Sequence, residues 1–123
     1  MNIEAAIGFI KQRVPFRYYA NEFPKTDNGD CGFVRFNDGA PPDLYIVGLT
    51  SPSMQIVIRH ESGREAEKIA SEIWKLFHAK AHFYIEGTYV HIAMCDQSMP
   101  VYIGTDGNDR TVYSINVSMK VTE

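Results

Sequence analysis

Long hydrophobic runs are missing from this sequence. No stretch approaches the ~20 apolar residues that a membrane-spanning helix requires. The segment from Met1 to Ile10 has no charged start followed by an apolar core, so we expect no signal peptide. We therefore expect no membrane association and a protein made in the cytoplasm.

Clusters of basic residues are also missing. The chain has 12 Lys and Arg against 15 Asp and Glu, a net charge of −3 and a sequence pI of about 5.8. A protein that follows a phosphate backbone needs a basic patch or stripe. We therefore expect no specific nucleic-acid binding, and at most weak, salt-sensitive binding to DNA.

Cysteine is scarce. Cys31 and Cys95 lie far apart and form no CxxC motif, which is typical of two reduced thiols; a disulfide or a redox role is the less favoured alternative. A chain of 123 residues buries enough surface to fold without a disulfide or a metal. With 45% hydrophobic and 22% charged residues, the composition predicts one globular domain over residues 1–123.

Motifs of catalysis and of metal binding are missing as well. There is no GxSxG nucleophile turn, no glycine-rich phosphate loop and no GxGxxG, so we expect no enzyme, no catalytic residue and no cofactor. His78 and His82 have the spacing of a zinc pair on a continuous helix, but the predicted helix ends near Lys80, between them. The aspartates lack the regular spacing of a calcium loop, and we expect no metal site: Asp27, Asp30, Asp38, Asp43, Asp106 and Asp109.

Two helices are predicted. The first is capped by Asn2 and ended by Pro15. Phe9 lies outside the apolar face of this helix and is either an ordinary surface residue or a contact residue. The second follows a strand at 54–60 and begins with a capping box formed by Ser62 and Glu65. The two apolar faces consist of Ile3, Ala6, Ile7, Ile10 and Val14, and of Ala66, Ile69, Ala70, Ile73, Trp74 and Phe77.

The remaining apolar segments predict strands. Asn37-Asp38-Gly39 is a strong turn signal, the polar segment 21–30 indicates a loop, and residues 111–121 alternate between apolar and polar side chains. Because strands come in runs between two helices, we predict an α+β fold: a mainly antiparallel mixed sheet with both helices on one face. The predicted strands are 16–20, 31–36, 44–49, 54–60, 82–86, 89–95 and 111–121.

Three stretches carry a family resemblance: residues 40–48, residues 54–59 with the start of the second helix, and residues 99–117. A Q-x-x-x-R strand (Gln55 to Arg59) enters the second helix, a P-x-x-x-G-x-D-x-x-x-R segment runs from Pro100 to Arg110, and a Y-S-x-N strand begins at Tyr113. Together with the segment 40–48, this order resembles the minor capsid and tail-terminator proteins of long-tailed bacteriophages and prophages. His60-Glu61 and Gly107 depart from the pattern.

The resemblance implies a structural α+β protein of the virion without enzymatic activity. Copies would form a ring, expected to contain six, that caps the growing tail tube and joins it to the head. The implied partners are therefore further copies of the chain and the tail-tube and head-completion proteins. The alternative is a ferredoxin-like domain that binds a small molecule or has a regulatory role, because that fold also places two helices on an antiparallel sheet.

Three charged residues are candidates for the contact between subunits. Arg59 ends an apolar strand, and Asp106 and Arg110 flank a turn that leads into the longest strand. Opposite charges on a projecting turn can set the angle of a neighbouring subunit. The alternative is that Asp106 and Arg110 bridge one another within one subunit and only stabilise the turn.

Overall fold

The computed structural model describes residues 1–27 and 29–123, without the side chain of Asp38. Asn28, in the loop predicted at 21–30, lies outside the described residues. The elements in chain order are helix α1 (Ile3–Arg13), strands β1 (Tyr18–Ala20), β2 (Cys31–Ala40) and β3 (Leu49–His60), helix α2 (Gly63–Phe77), and strands β4 (Lys80–Ile85), β5 (Thr88–Cys95), β6 (Val101–Thr105) and β7 (Thr111–Thr122).

The strands form one sheet in the order β1-β2-β3-β7-β5-β4, with β6 also paired to β7. All pairs are antiparallel except β1 with β2, which is parallel. The predicted mainly antiparallel α+β fold is confirmed. The chain order α-β-β-β-α-β-β-β-β differs from the β-α-β-β-α-β order of a ferredoxin-like domain.

β5 and β6 act as one interrupted strand along β7. β5 pairs with residues 117–122 of β7 and β6 with residues 111–114, both antiparallel. Residues 96–100 make a short excursion between them, tied down where the Asp96 N–H donates to the Asn116 carbonyl. β7 is thus flanked along its length by β3 on one side and by β5 and β6 on the other.

Both helices pack on the same face of the sheet. The Asn2 side chain accepts from the Ala5 N–H at 2.8 Å, and the Ser62 hydroxyl accepts from the Glu65 N–H at 3.3 Å, so both predicted N-cap residues are confirmed. The Ser62 N–H donates to His60 Nδ1 and not to the Glu65 side chain, so the second hydrogen bond of the predicted capping box is not formed. Phe9, left open by the sequence, is buried against Phe77, with 5.7 Å between ring centroids.

Two predicted segments near residue 40 are corrected. β2 continues through Asn37-Asp38-Gly39 to Ala40, because the turn signal is absorbed as a bulge opposite β3 in which Gly39 adopts φ +56°. The segment predicted as a strand at 44–49 is a loop up to Gly48, and β3 begins only at Leu49. The strand-like composition of Leu44–Val47 did not decide its structure, because no neighbouring strand lies beside it in the described chain.

Candidate functional site

A polar cluster gathers at the C-terminal end of β6. Arg59 is only 8% exposed, and its guanidinium donates to the Gly29 carbonyl at 3.1 Å and to the Asp27 carbonyl. Its Nη1 lies 3.7 Å from Asp106 Oδ2, and it covers the Phe23 ring at 4.1 Å. Arg59 therefore holds the segment before β2 and the turn after β6 onto the sheet, on the side of β3 opposite the helices.

Asp106 organises the turn between β6 and β7. Its Oδ1 accepts from the backbone N–H groups of Asn108 and Arg110, each at 2.9 Å. Burial raises the pKa of Asp106, but these two hydrogen bonds and the charges of Arg110 and Arg59 lower it by more, so the pKa lies below its ordinary value. The carboxylate is thus held ionised by the turn it closes.

Arg110 extends the cluster to Asp30. Arg110 Nε lies 3.5 Å from Asp30 Oδ1, and His60 Nε2 lies 3.5 Å from Asp30 Oδ2. The structure thus brings Arg59, Asp106 and Arg110 together, each engaged inside its own subunit. Their predicted role in a contact between subunits stays a prediction.

The residues that carried the family resemblance also meet. The Gln55 side chain donates to the Ser114 hydroxyl at 2.9 Å across β3 and β7. Gly104 adopts φ +115° at a bulge between β6 and β7, a conformation that side-chain-bearing residues rarely reach. The Q-x-x-x-R and Y-S-x-N motifs thus meet across β3 and β7, and the glycine of the P-x-x-x-G-x-D-x-x-x-R segment lies at the bulge between β6 and β7.

A first exposed apolar surface is the loop between β2 and β3. Leu44, Tyr45, Ile46 and Val47 are 91%, 93%, 55% and 97% exposed. Asp43 Oδ1 accepts from the backbone N–H groups of Tyr45 and Ile46 at 2.7 and 2.8 Å, which folds the loop into a local turn. These hydrogen bonds also lower the pKa of Asp43 below its ordinary value.

A second exposed apolar surface consists of β6 and Met99, which lies just before it. Met99, Val101, Tyr102 and Ile103 are exposed, and Tyr102 packs edge-on against Tyr113 at 5.7 Å. In the described chain β6 pairs with β7 alone, so its outer edge presents unpaired backbone groups. This strand was not predicted from the sequence, although the apolar run 99–103 just before the Asp106 turn was a signal for it.

The histidines and cysteines have separate surroundings. His78 stacks on Trp74 at 4.3 Å, whereas His82 Nδ1 lies 2.6 Å from the Tyr89 hydroxyl. Among the side chains that the structure describes, which exclude those of Asn28 and Asp38, no group of three His, Cys, Asp or Glu converges as metal ligands would. Burial, followed by the Asp96 charge, raises the pKa of the Cys95 thiol to about 12, and burial also raises that of Cys31.

No helix in the described part of the chain is both long and apolar enough to cross a membrane.

No curated protein matches the sequence. Among the solved structures that match, one is similar over 100% of this chain and 97% of its own, with a TM-score of 0.53 and 17% sequence identity. At that identity the likeness shows the fold alone. A family model described as bacteriophage tail terminator protein matches residues 6–123, so the chain belongs to the bacteriophage tail terminator family, a family of structural phage proteins.

Proposed function

We propose that the chain, as a single domain, forms a ring that ends the phage tail tube and joins it to the head. The observation that carries the proposal is the grouping of exposed apolar side chains. Among the described residues, ten large apolar side chains are exposed, and eight of them lie in the loop 44–47 or at Met99–Ile103. Apolar groups concentrated at two places mark surfaces that a partner covers.

The ring would contain six copies, and its further partners would be the tail-tube and head-completion proteins. The number and the joining role rest on the family, and assembly would take place in the cytoplasm of the host bacterium. A subunit that uses two different surfaces to contact its neighbours closes into a ring when the rotation between copies closes. The loop and β6 are two such surfaces.

Arg59, Asp106 and Arg110 would act next to the subunit contact. The cluster closes the turn directly after β6, so it sets the direction in which the exposed strand points. Removing one charge of the cluster would change the direction of β6, even if the charged group itself does not contact the neighbouring subunit.

Sizing of the purified protein at several concentrations tests the ring. Wild type is expected to form a closed multimer. Arg110→Glu, which repels Asp30, is expected to lose the multimer while keeping its circular dichroism spectrum. Arg64→Glu at the exposed start of α2 is the matched control and should assemble normally. An Arg110→Glu multimer of wild-type size contradicts the role of the cluster.

A phage in which the gene is deleted tests the capping role. Without a terminator the tube subunits have no signal to stop adding, so overlong tubes without heads are expected by electron microscopy. Complementation with the wild-type gene should restore tails of uniform length. Tails of normal length joined to heads in the deletion strain contradict the proposal.

A further inference from the structure

The outer edge of β6 differs from the other free edges of the sheet. β1 has only three residues, and β4 begins with Lys80 and is distorted at His82, which adopts φ +55°. Shortness, lysine and bulges are the devices that keep a strand edge from pairing with another chain. β6 has a bulge on its β7 side but carries no charged residue, nor does any position from 97 to 105.

β6 is a strand with an unpaired edge. The loop at Leu44–Val47 is instead a segment with the composition of a strand that is not part of the sheet. Leucine, tyrosine, isoleucine and valine follow one another there, and no charged residue occurs from position 44 to position 58. Tyrosine, isoleucine and valine are enriched in strands. The four-residue segment is one residue shorter than β6, which has five.

The loop cannot reach β6 of its own chain. It leaves the sheet at Leu49, which pairs with Thr122, whereas β6 pairs with β7 only from Ser114 to Thr111, toward the other end of that strand. At ~3.3 Å per residue, the stretch of β7 from Thr122 to Ser114 is about 26 Å long, but the five residue steps from Leu49 to Leu44 extend over only about 17 Å. A loop that meets a β6 edge must therefore meet the edge of a second copy.

We propose that Leu44–Val47 of one subunit adds as a strand to the outer edge of β6 in the next subunit. This inference rests on the proposed ring and names the contact that builds it. Strand addition supplies backbone hydrogen bonds along the edge, and alternating side chains cover both faces. The Asp43 carboxylate releases both N–H groups when the loop extends. Because the N–H groups of successive residues point to opposite sides of a strand, one of the pair from Tyr45 and Ile46 donates to a β6 carbonyl. The other N–H group and the Asp43 carboxylate face water, so no polar group is buried without a partner.

A complementation experiment tests the contact. Val47→Asp disables the loop and leaves the edge intact, while Ile103→Asp disables the edge and leaves the loop intact. Each variant alone should keep a wild-type circular dichroism spectrum and should be monomeric at the concentration where wild type assembles. Assembly of either variant alone should require at least a tenfold higher protein concentration. A 1:1 mixture should form heterodimers and nothing larger, because one intact loop meets one intact edge.

Tyr84→Asp on β4, where the side chain is 62% exposed, is the matched control and should retain the wild-type multimer. A mixture that stays monomeric while wild type assembles overturns the contact and leaves the ring standing. If Val47→Asp still assembles, the loop faces another partner such as the tail tube, and if wild type stops at dimers, two β6 edges pair with each other; both results overturn the proposal.

Failure of the ring itself gives a different result. Wild-type protein that stays monomeric at every concentration overturns this contact and the ring in free solution together. The deletion phage then reports separately on the capping role, because deleting the gene removes the protein whatever contact joins its copies.

Discussion

Met54–Ile58 and Leu44–Val47 are similar in chemistry and opposite in environment. Ile56 and Ile58 are fully buried at the centre of the sheet, between β2 and β7 and beneath the helices, whereas Leu44 and Val47 are more than 90% exposed. The difference lies in what is beside each segment. Apolar, β-branched residues become core only where neighbouring strands and a helix cover them, and otherwise they are available to another chain.

The largest expected effect comes from removing what covers the buried segment. Phe77 is fully buried in the core cluster that includes Ile56 and packs on Phe9. Phe77→Ala should lower the free energy of unfolding by about 3–5 kcal/mol, measured by denaturant titration. Trp74→Ala should cost less because Trp74 is only half-buried, although its Nε1 donates to the Gln97 carbonyl. Equal losses for both variants would contradict the packing described.

Matched truncations compare the two segments directly. Ile56→Ala should cost about 2–5 kcal/mol through lost burial and a cavity. Val47→Ala should change the stability of the monomer by no more than about 0.5 kcal/mol, because its side chain is already in water. Thermal and denaturant unfolding at low protein concentration measure both. A comparable loss for Val47→Ala would mean that the loop packs against its own subunit.

A smaller effect is expected at the polar cluster. Arg59→Met keeps the apolar stem but leaves the Asp27 and Gly29 carbonyls and the Asp106 carboxylate without their donor. The loss should be about 1.5–3 kcal/mol, typical of hydrogen bonds to a charged group. Arg35→Met on the exposed side of β2 is the control and should be nearly neutral. An equal effect at both positions would show that the Arg59 contacts contribute nothing specific.

The smallest effect is the pH dependence of the Asp106 turn. Its folded pKa is below the unfolded value of about 3.9, so its contribution is complete above that pH and is lost as the pH falls through the folded pKa. The stability difference between wild type and Asp106→Asn should therefore shrink below about pH 4. Asp43→Asn, in the exposed loop, is the matched control. This substitution should change the free energy of unfolding less than Asp106→Asn does. A stability difference that is the same at pH 2.5 as at pH 6 would contradict the assignment.

Much of the fold could be predicted because its signals are local. The Asn2 and Ser62 caps, the buried face of α2 and the alternation along β7 each depend on spacing within a few residues. Leu44–Val47 could not be placed, because exposure depends on which strands lie alongside. Asn37-Asp38-Gly39 was misassigned for the same reason, since pairing with β3 overrides a turn preference.

The candidate site was predictable in part. Arg59, Asp106 and Arg110 do converge, because the turn after β6 folds back against the end of β3. Their bonds to Asp30 and to the Asp27 and Gly29 carbonyls depend on where segment 21–30 crosses the sheet, which no local pattern encodes. β6 itself was missed because five residues broken by Gly104 give too short an alternation.

The separation of β6 from β5 has a consequence for hydrogen exchange. β7 is paired on both sides, so its amides should be the last to exchange and should report global unfolding. β6 is held by β7 alone and is joined to β5 through the excursion 96–100, so it can detach without disturbing the ladder between β3 and β7. The edge available to another chain therefore belongs to a unit that opens locally, and a bound neighbour should slow the exchange of β6 while leaving that of β7 unchanged.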